Sequence, residues 1–291
     1  MVRKVVSHKE PRHWDDFIAV SLLKMNYPDA VVEFVHPQQV PSEYYSDAGV
    51  CLIDVGGRYE PELMNFDHHQ DSSLNCSLVL VLRDVYGLSV MSGVLRFIDL
   101  ADRYGVKRAS EELGVRLDPR EDMMRKEILL IDLAKHGREV GEVMWDSLLI
   151  DDYSVWIRKV YSMLEERGLL DEPREKIRVE EERYREKVGK VEIREYGDVR
   201  VAFSVESLAP YHYRFFEETK VDLLVERNSM SREHTSVIKN TSSGKAKDID
   251  LSKVFDEYPR VFLHPNGFIA VLGVFFEEVD KDKVVRLVLG G

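Results

Sequence analysis

The stretch Gly49-Val50-Cys51-Leu52-Ile53-Asp54-Val55-Gly56-Gly57 constrains the fold most. Its apolar residues run on without alternating with polar ones. Side chains of a strand point to both faces in turn, so such a strand must be covered on both sides, as in a parallel sheet packed under helices. The surrounding sequence supplies the other layers. "VRKVVSH" (2–8) and "AVVEFVHP" (30–37) read as further strands. Between them, "HWDDFIAVSLLKMNYP" (13–28) has helical apolar spacing, with Asp15 and Asp16 suited to a first turn. "CSLVLVLRDVYG" (76–87) and "SGVLRFIDLADRYG" (92–105) also have helical spacing. Alternating strands and helices predict an α/β fold with a mainly parallel N-terminal sheet flanked by helices.

From about residue 103 to 182 the pattern turns helical, ending in the charged "PREKIRVEEERYREKVG". Strands return as "KVEIREY", "VRVAFSV", "VDLLVER", "TSVIKN", "RVFLHP" and "FIAVLGVFF". The expected layout is an α/β domain with a helical extension over 1–180, then a smaller α/β domain over 185–291 with a mixed or antiparallel sheet. A chain of 291 residues suits two such cores.

Net charge is −12, which argues against general affinity for polyanions, since neutralising phosphates takes Lys and Arg. It leaves room for a local basic groove or for cations. Cys51 and Cys76 lie in apolar context and read as buried thiols of a reducing compartment. No apolar stretch of the length of a signal peptide or membrane span is visible, so a cytoplasmic protein with no membrane partner is expected.

In open parallel sheets, ligands sit beyond the carboxyl ends of the strands. Reading only those ends collects His8, His13, Asp15 and Asp16 after the first strand. Asp54 ends the third, before Gly56 and Gly57, which allow close backbone approach. "FDHHQ" (66–70) follows, with Asp67, His68 and His69. Imidazoles and carboxylates without thiolate suit Mn²⁺, Mg²⁺, Co²⁺ or Zn²⁺, with the mixture leaning towards Mn²⁺. Each piece alone has a plainer reading: paired histidines decorate polar turns, and an aspartate at a strand end caps a helix.

Together these residues resemble the DHH phosphoesterase superfamily, named for the tripeptide seen here as Asp67-His68-His69. The pattern is most similar to the melanocyte-proliferating-gene type of metal-dependent nuclease. His8, His13, Asp15 and Asp16 keep that family's opening spacing. Asp54 to Gly57, Tyr59 and Asp67 to Gln70 continue it, as do Asp99 to Asp102 and "HPNGFIA" (264–270). The family's Gly-Thr-Phe stretch is replaced by Glu10, Pro11 and Arg12, and its Asp-Asn-Gly by Asp102-Arg103-Tyr104-Gly105.

The resemblance implies two divalent cations, with His8, His13 and Asp54 on one and Asp15, Asp54, His68 and Asp102 on the other. Asp54 would bridge them. Asp16 and Asp67 would hold imidazole N–H groups, and His69 would face the substrate phosphate. Asp99 lies one helical turn from Asp102 on the same face, and either could ligate. The resemblance also places the site in a cleft between two domains. In the second domain His264, Asn266 and Gly267 follow a strand end where phosphate could be met. Arg232, His234 and Lys239 lie in a locally basic stretch (226–247) that is a candidate phosphate-binding surface or a solvated hairpin. Tyr211, His212 and Tyr213 suit base stacking or interface packing. His36 and His136 read as ordinary.

The resulting expectation is a metal-dependent phosphodiesterase, a 3′–5′ exonuclease on RNA or short single-stranded oligonucleotides. The alternatives are a phosphatase or pyrophosphatase of a small nucleotide, or a catalytically silent nucleotide-binding protein. RNA versus DNA, cleavage polarity and oligomeric state stay open at this level.

Overall fold

A computed structural model describes residues 1–9, 12–116, 118–264 and 266–290; Glu10 and Pro11, two of the family departures, lie outside the described residues, as does Pro265. The chain divides into two compact units, Met1–Ile177 and Arg178–Gly291.

The first unit opens with β1 (Lys4–His8), α1 (Trp14–Asn26), β2 (Val31–Val35), β3 (Val50–Ile53), β4 (Tyr59–Glu60) and β5 (Asn65–Phe66). The strands form one sheet in the order β2-β1-β3-β5-β4. β1 runs parallel to β2 and β3, and β3 parallel to β5; only the edge strand β4 is antiparallel. Every residue of β3 is buried, as its unalternating apolar run requires. Helices α2 (Ser77–Asp84), α3 (Gly93–Tyr104), α4 (Val106–Leu113), α5 (Pro119–Leu129), α6 (Leu133–Trp145) and α7 (Tyr153–Glu166) follow, then α8 (Asp171–Val188), which contains the boundary between the units.

α1 is the centre of this unit. Trp14 through Lys24 are all buried, so the helix is apolar nearly all round rather than striped. It packs closely on α6 because Gly141 lies there. A Cβ at Gly141 would fall 2.3 Å from the Ser21 carbonyl oxygen, far inside contact distance. The one basic group in the buried run, Lys24, is satisfied by backbone: its Nζ donates to the Pro28 and Ala30 carbonyls at 2.5 and 2.8 Å. Cys51 and Cys76 are buried and unpaired.

The second unit contains β6 (Glu192–Tyr196), β7 (Val199–Ser204), α9 (His212–Thr219), β8 (Leu223–Arg227), β9 (Thr235–Lys239), β10 (Arg260–Leu263), β11 (Ile269–Leu272) and α10 (Lys281–Leu289). Its sheet runs β10-β11-β9-β8-β7-β6. β7 and β8 are parallel, joined by α9, and the other pairs are antiparallel, so the sheet is mixed. Among the described residues no helix is long and apolar enough to cross a membrane.

Candidate metal centre

The site of the first unit gathers at the carboxyl ends of β1 and β3, where α1 begins. β1 delivers His8. α1 then starts with His13 at its cap, and the His13 N–H donates to Asp16 Oδ1 at 2.6 Å, which fixes the turn that brings in Asp15 and Asp16. β3 ends in Asp54, whose φ of +57° lies in the left-handed region that side-chain-bearing residues avoid. Such strain persists where the surroundings over-determine it, and it clusters at functional sites. Gly56 continues the sharp turn at φ +102°, and a Cβ there would fall 2.9 Å from the Tyr45 ring. Ser77, in the first turn of α2, donates to Asp54 Oδ1 at 3.2 Å.

The donor atoms converge. His8 Nε2 lies 3.4 Å from Asp54 Oδ2, and His68 Nε2 lies 3.3 Å from Asp54 Oδ1. His13 Nδ1 is 3.5 Å from Asp102 Oδ1. His68 Nε2 and Asp102 Oδ2 are 2.8 Å apart yet lack hydrogen-bond geometry, so both atoms are buried without a partner. Both oxygens of the fully buried Asp15, and Asp16 Oδ2, are unpartnered as well. Buried carboxylates left this way cost several kcal/mol unless a positive charge meets them. Three overlapping groups could hold a metal ion: His8, His13 and Asp54; Asp15, Asp54, His68 and Asp102; and Asp54, His68 and His69. Within each group the donor atoms lie within 4.8 Å of one another, and Asp54 belongs to all three. The orphaned atoms and the oxygen–nitrogen donor set fit a divalent cation.

Electrostatics follow from this crowding. Burial drives Asp15 well above the usual carboxylate range, helped by the charges of Asp54, Asp102 and Asp16. Burial also pushes Asp16 up to about 6. Burial opposes charge on Asp54 too, but the His68 and His8 imidazoles win and hold it below its ordinary value. Asp102 is held at about 2 by His13 and His68 against burial. The same pairs, outweighing burial, raise His8 to about 9 and His68 to about 10. Without a cation, protons on the imidazoles balance the carboxylates.

Asp67 and Asp99 stand behind the donors. Asp67 Oδ1 accepts the His69 N–H at 3.0 Å and meets its ring Nδ1 at 2.8 Å, while Oδ2 accepts the Gly57 N–H at 2.7 Å. The His69 side chain remains 63% exposed, so it faces open space. Asp99 is used structurally: Oδ1 accepts the Cys76 N–H at 2.7 Å, and Oδ2 accepts from Asn75 and Arg103, each at 3.1 Å. Asp102 belongs to a donor group and Asp99 to none.

Two cavities flank the cluster. An open one of about 580 Å³ is lined by His8, Lys9, His36, Asp54 and His69 among others. His36, read as ordinary from sequence, therefore lines the site; nothing in its local sequence signals that. Ser77 was also missed, since the contact depends on how α2 meets β3. A second cavity, of about 540 Å³, is shared with His13, Asp15 and Asp102.

The second-unit candidates fall into two places. Arg232 and His234 lie in the hairpin loop before β9, and Lys239 ends that strand, which at ~3.3 Å per residue puts the two groups ~13 Å or more apart. His264, Asn266 and Gly267 make the tight β10–β11 turn near Lys239, whose N–H donates to the Phe268 carbonyl at 3.0 Å. That turn uses its own donors: the Asn266 N–H bonds His264 Nδ1 at 3.1 Å and the Gly267 N–H bonds the His264 carbonyl at 2.7 Å. Lys239 Nζ donates to the Ile249 carbonyl at 3.0 Å. His212 Nε2 is 2.8 Å from the buried Glu226, Tyr211 packs on Tyr184, and Tyr213 points to solvent.

Comparison with known proteins adds one finding. The MYG1_exonuc family model, described as an uncharacterised protein family (UPF0160), matches residues 4–76. No curated protein matches the chain. The matched segment, a quarter of the chain, holds every donor named above except Asp102, and its label points to a metal-dependent, nuclease-like hydrolase.

Proposed function

We propose that this chain is a two-cation phosphodiesterase, a 3′–5′ exonuclease acting on RNA or short single-stranded oligonucleotides, with Mn²⁺ as the favoured metal. The observation that carries the reading is Asp54, strained in the left-handed region and common to every donor group. The exonuclease label of the matched family supports the same reaction class.

His8, His13 and Asp54 would hold one cation, and Asp15, Asp54, His68 and Asp102 the other. Bound cations would supply Lewis-acid stabilisation of a phosphoryl group and a lowered pKa for bound water. The chain's own residues do the rest. Burial of Asp15 and Asp16 keeps the donors desolvated. Asp67 orients the His69 ring and raises its pKa, so His69 holds a proton it can pass from Nε2 to the leaving oxygen. Lys9, lining the open cavity with His36 and His69, offers positive charge to the remaining phosphates.

Purified protein loaded with Mn²⁺ tests this against labelled short RNA, short DNA and pyrophosphate. Stepwise shortening of RNA from its 3′ end, abolished by chelation and by Asp54→Asn, is the expected result. Hydrolysis of pyrophosphate alone would replace the reading with a phosphatase, and no hydrolysis by cation-loaded protein would reject it.

A further inference from the structure

The cavity of about 540 Å³ differs in character from the more open one. It is walled by Trp14, Phe97, Ile98, Ala101, Val106 and Tyr153, drawn from α1, α3, α4 and α7. These aromatic side chains are locked together. Trp14 Nε1 donates to the Tyr153 hydroxyl at 3.1 Å, and the Phe97 and Tyr153 rings lie 4.3 Å apart. At one end, α5 contributes Glu121, Asp122 and Arg125. Glu121 is fully engaged by Arg158 and Ser154. Arg125 is held on Asp122 through Nε and Nη2 at 3.2 and 2.9 Å; among the described residues its Nη1 makes no hydrogen bond. At another end lie Asp15 and Asp102, members of a donor group.

With Asp15 and Asp102 turned to a cation, the rest of the lining sets Glu121 and Asp122 beside a single guanidinium that Asp122 already holds, which gives a phosphate no seat of its own. A flat, uncharged ring suits it. Its volume is within the ~300–1,000 Å³ typical of small-ligand pockets, its walls are aromatic, and Arg125 presents a donor. The open cavity is lined by Lys9 and the imidazoles of His8, His13, His36 and His69 beside two carboxylates, Asp54 and Asp67, and suits the phosphodiester better. Resting on the phosphodiesterase reading above, we infer that this aromatic cavity seats the nucleobase of the terminal nucleotide while its phosphate lies at the donor cluster. Arg125 Nη1 donates to a carbonyl or ring-nitrogen acceptor of that base.

The test uses the full chain loaded with Mn²⁺. Binding of nucleoside 5′-monophosphates and of ribose 5-phosphate is measured by calorimetry. Cleavage is measured on matched short oligonucleotides whose terminal nucleotide carries a base or is abasic. Nucleotides should bind about tenfold or more tighter than the sugar phosphate, the scale of one base stacked on an aromatic side chain. Val106→Trp, at the half-exposed mouth, should erase that preference, and Arg125→Met should reduce it, with metal content unchanged in both. Equal affinity for nucleotide and sugar phosphate in the wild type would overturn the assignment, as would full preference retained in both folded variants. If nucleotides bind with the expected preference but no oligonucleotide is cut, the base seat stands and the exonuclease reading falls.

Discussion

Asp99 and Asp102 lie one turn apart on α3 and serve different partners: Asp99 Oδ1 accepts the Cys76 N–H at 2.7 Å, while Asp102 Oδ2 stands 2.8 Å from His68 Nε2. The first contact ties α3 to the start of α2; the second adds a carboxylate to the donor cluster. The two substitutions should therefore separate. Asp99→Ala leaves a buried backbone N–H unpaired, which costs about 1–3 kcal/mol of stability, and should leave cation binding intact. Asp102→Asn should lose a cation with little change in folding. Titration of metal content against thermal melts of both variants checks this; loss of metal in Asp99→Ala at unchanged stability would reverse the assignment.

Asp54 carries a backbone demand as well as a chemical one. At φ +57° an Asn is tolerated better than an Ala, by about 1–2 kcal/mol. Asp54→Asn should fold with near wild-type stability, and Asp54→Ala should unfold at lower denaturant by that difference. Both should lose cation binding and activity. Full metal content in folded Asp54→Asn would remove Asp54 from its shared place between the donor groups.

The donor cluster also sets a pH dependence for the chelated protein. His8 and His68 are raised from 6.5 to about 9 and about 10, and Asp16 from 3.8 to about 6. A group whose pKa is higher folded than unfolded supports folding below its unfolded value, and that support is lost as pH rises through the folded one. Between pH 6.5 and about 10 the chelated protein should therefore lose stability steadily. Asp102, lowered to about 2, acts only at the acid end, below its ordinary 3.8. A bound cation replaces the imidazole protons, so the loaded protein should show a flatter profile and should release protons on binding near neutrality. Melting temperature against pH, with and without chelator, measures it; parallel profiles would count against His8 and His68 as ligands.

Much of this site was legible in the sequence because its donors sit where strands end. Unalternating apolar residues placed β3 in a buried parallel sheet, and that alone put Asp54 at its carboxyl end near His8. What depends on how helices meet was not legible. Asp99 and Asp102 share a helical spacing, and only the position of α2 tells them apart. The aromatic cavity needs Trp14, Phe97, Val106, Arg125 and Tyr153 brought together from five helices, none of which carries a motif for it. The "KVVRLVL" of helix α10 is rich in β-branched residues that also suit a strand, so it carries no clear helical signal of its own. Its helical start comes from Asp280, whose side chain accepts the Lys283 N–H. In the basic stretch over 226–247, a candidate phosphate-binding surface or a solvated hairpin, β9 separates Arg232 and His234 from Lys239.

His68 and His69 are adjacent yet differ in setting. The His68 side chain is 8% exposed with Nε2 aimed at Asp54 and Asp102, while that of His69 is 63% exposed with Nδ1 on Asp67. Their rings lie only 4.4 Å apart, so it is burial and partners, not direction, that divide the pair between two tasks. His68→Ala should lose a cation and activity together. His69→Ala should keep both cations and near-normal stability while kcat falls by ~10²–10⁴, the range of one positioned proton donor. Asp67→Ala should resemble a milder His69→Ala, and it should shift the alkaline limb of the kcat profile to lower pH, because Asp67 is the main cause of the raised His69 pKa. Metal analysis and single-turnover rates across pH separate these outcomes. If His69→Ala empties a cation site, His69 belongs with Asp54 and His68 in the third donor group, and the proton donor must be sought among Lys9 and His36 along the open cavity.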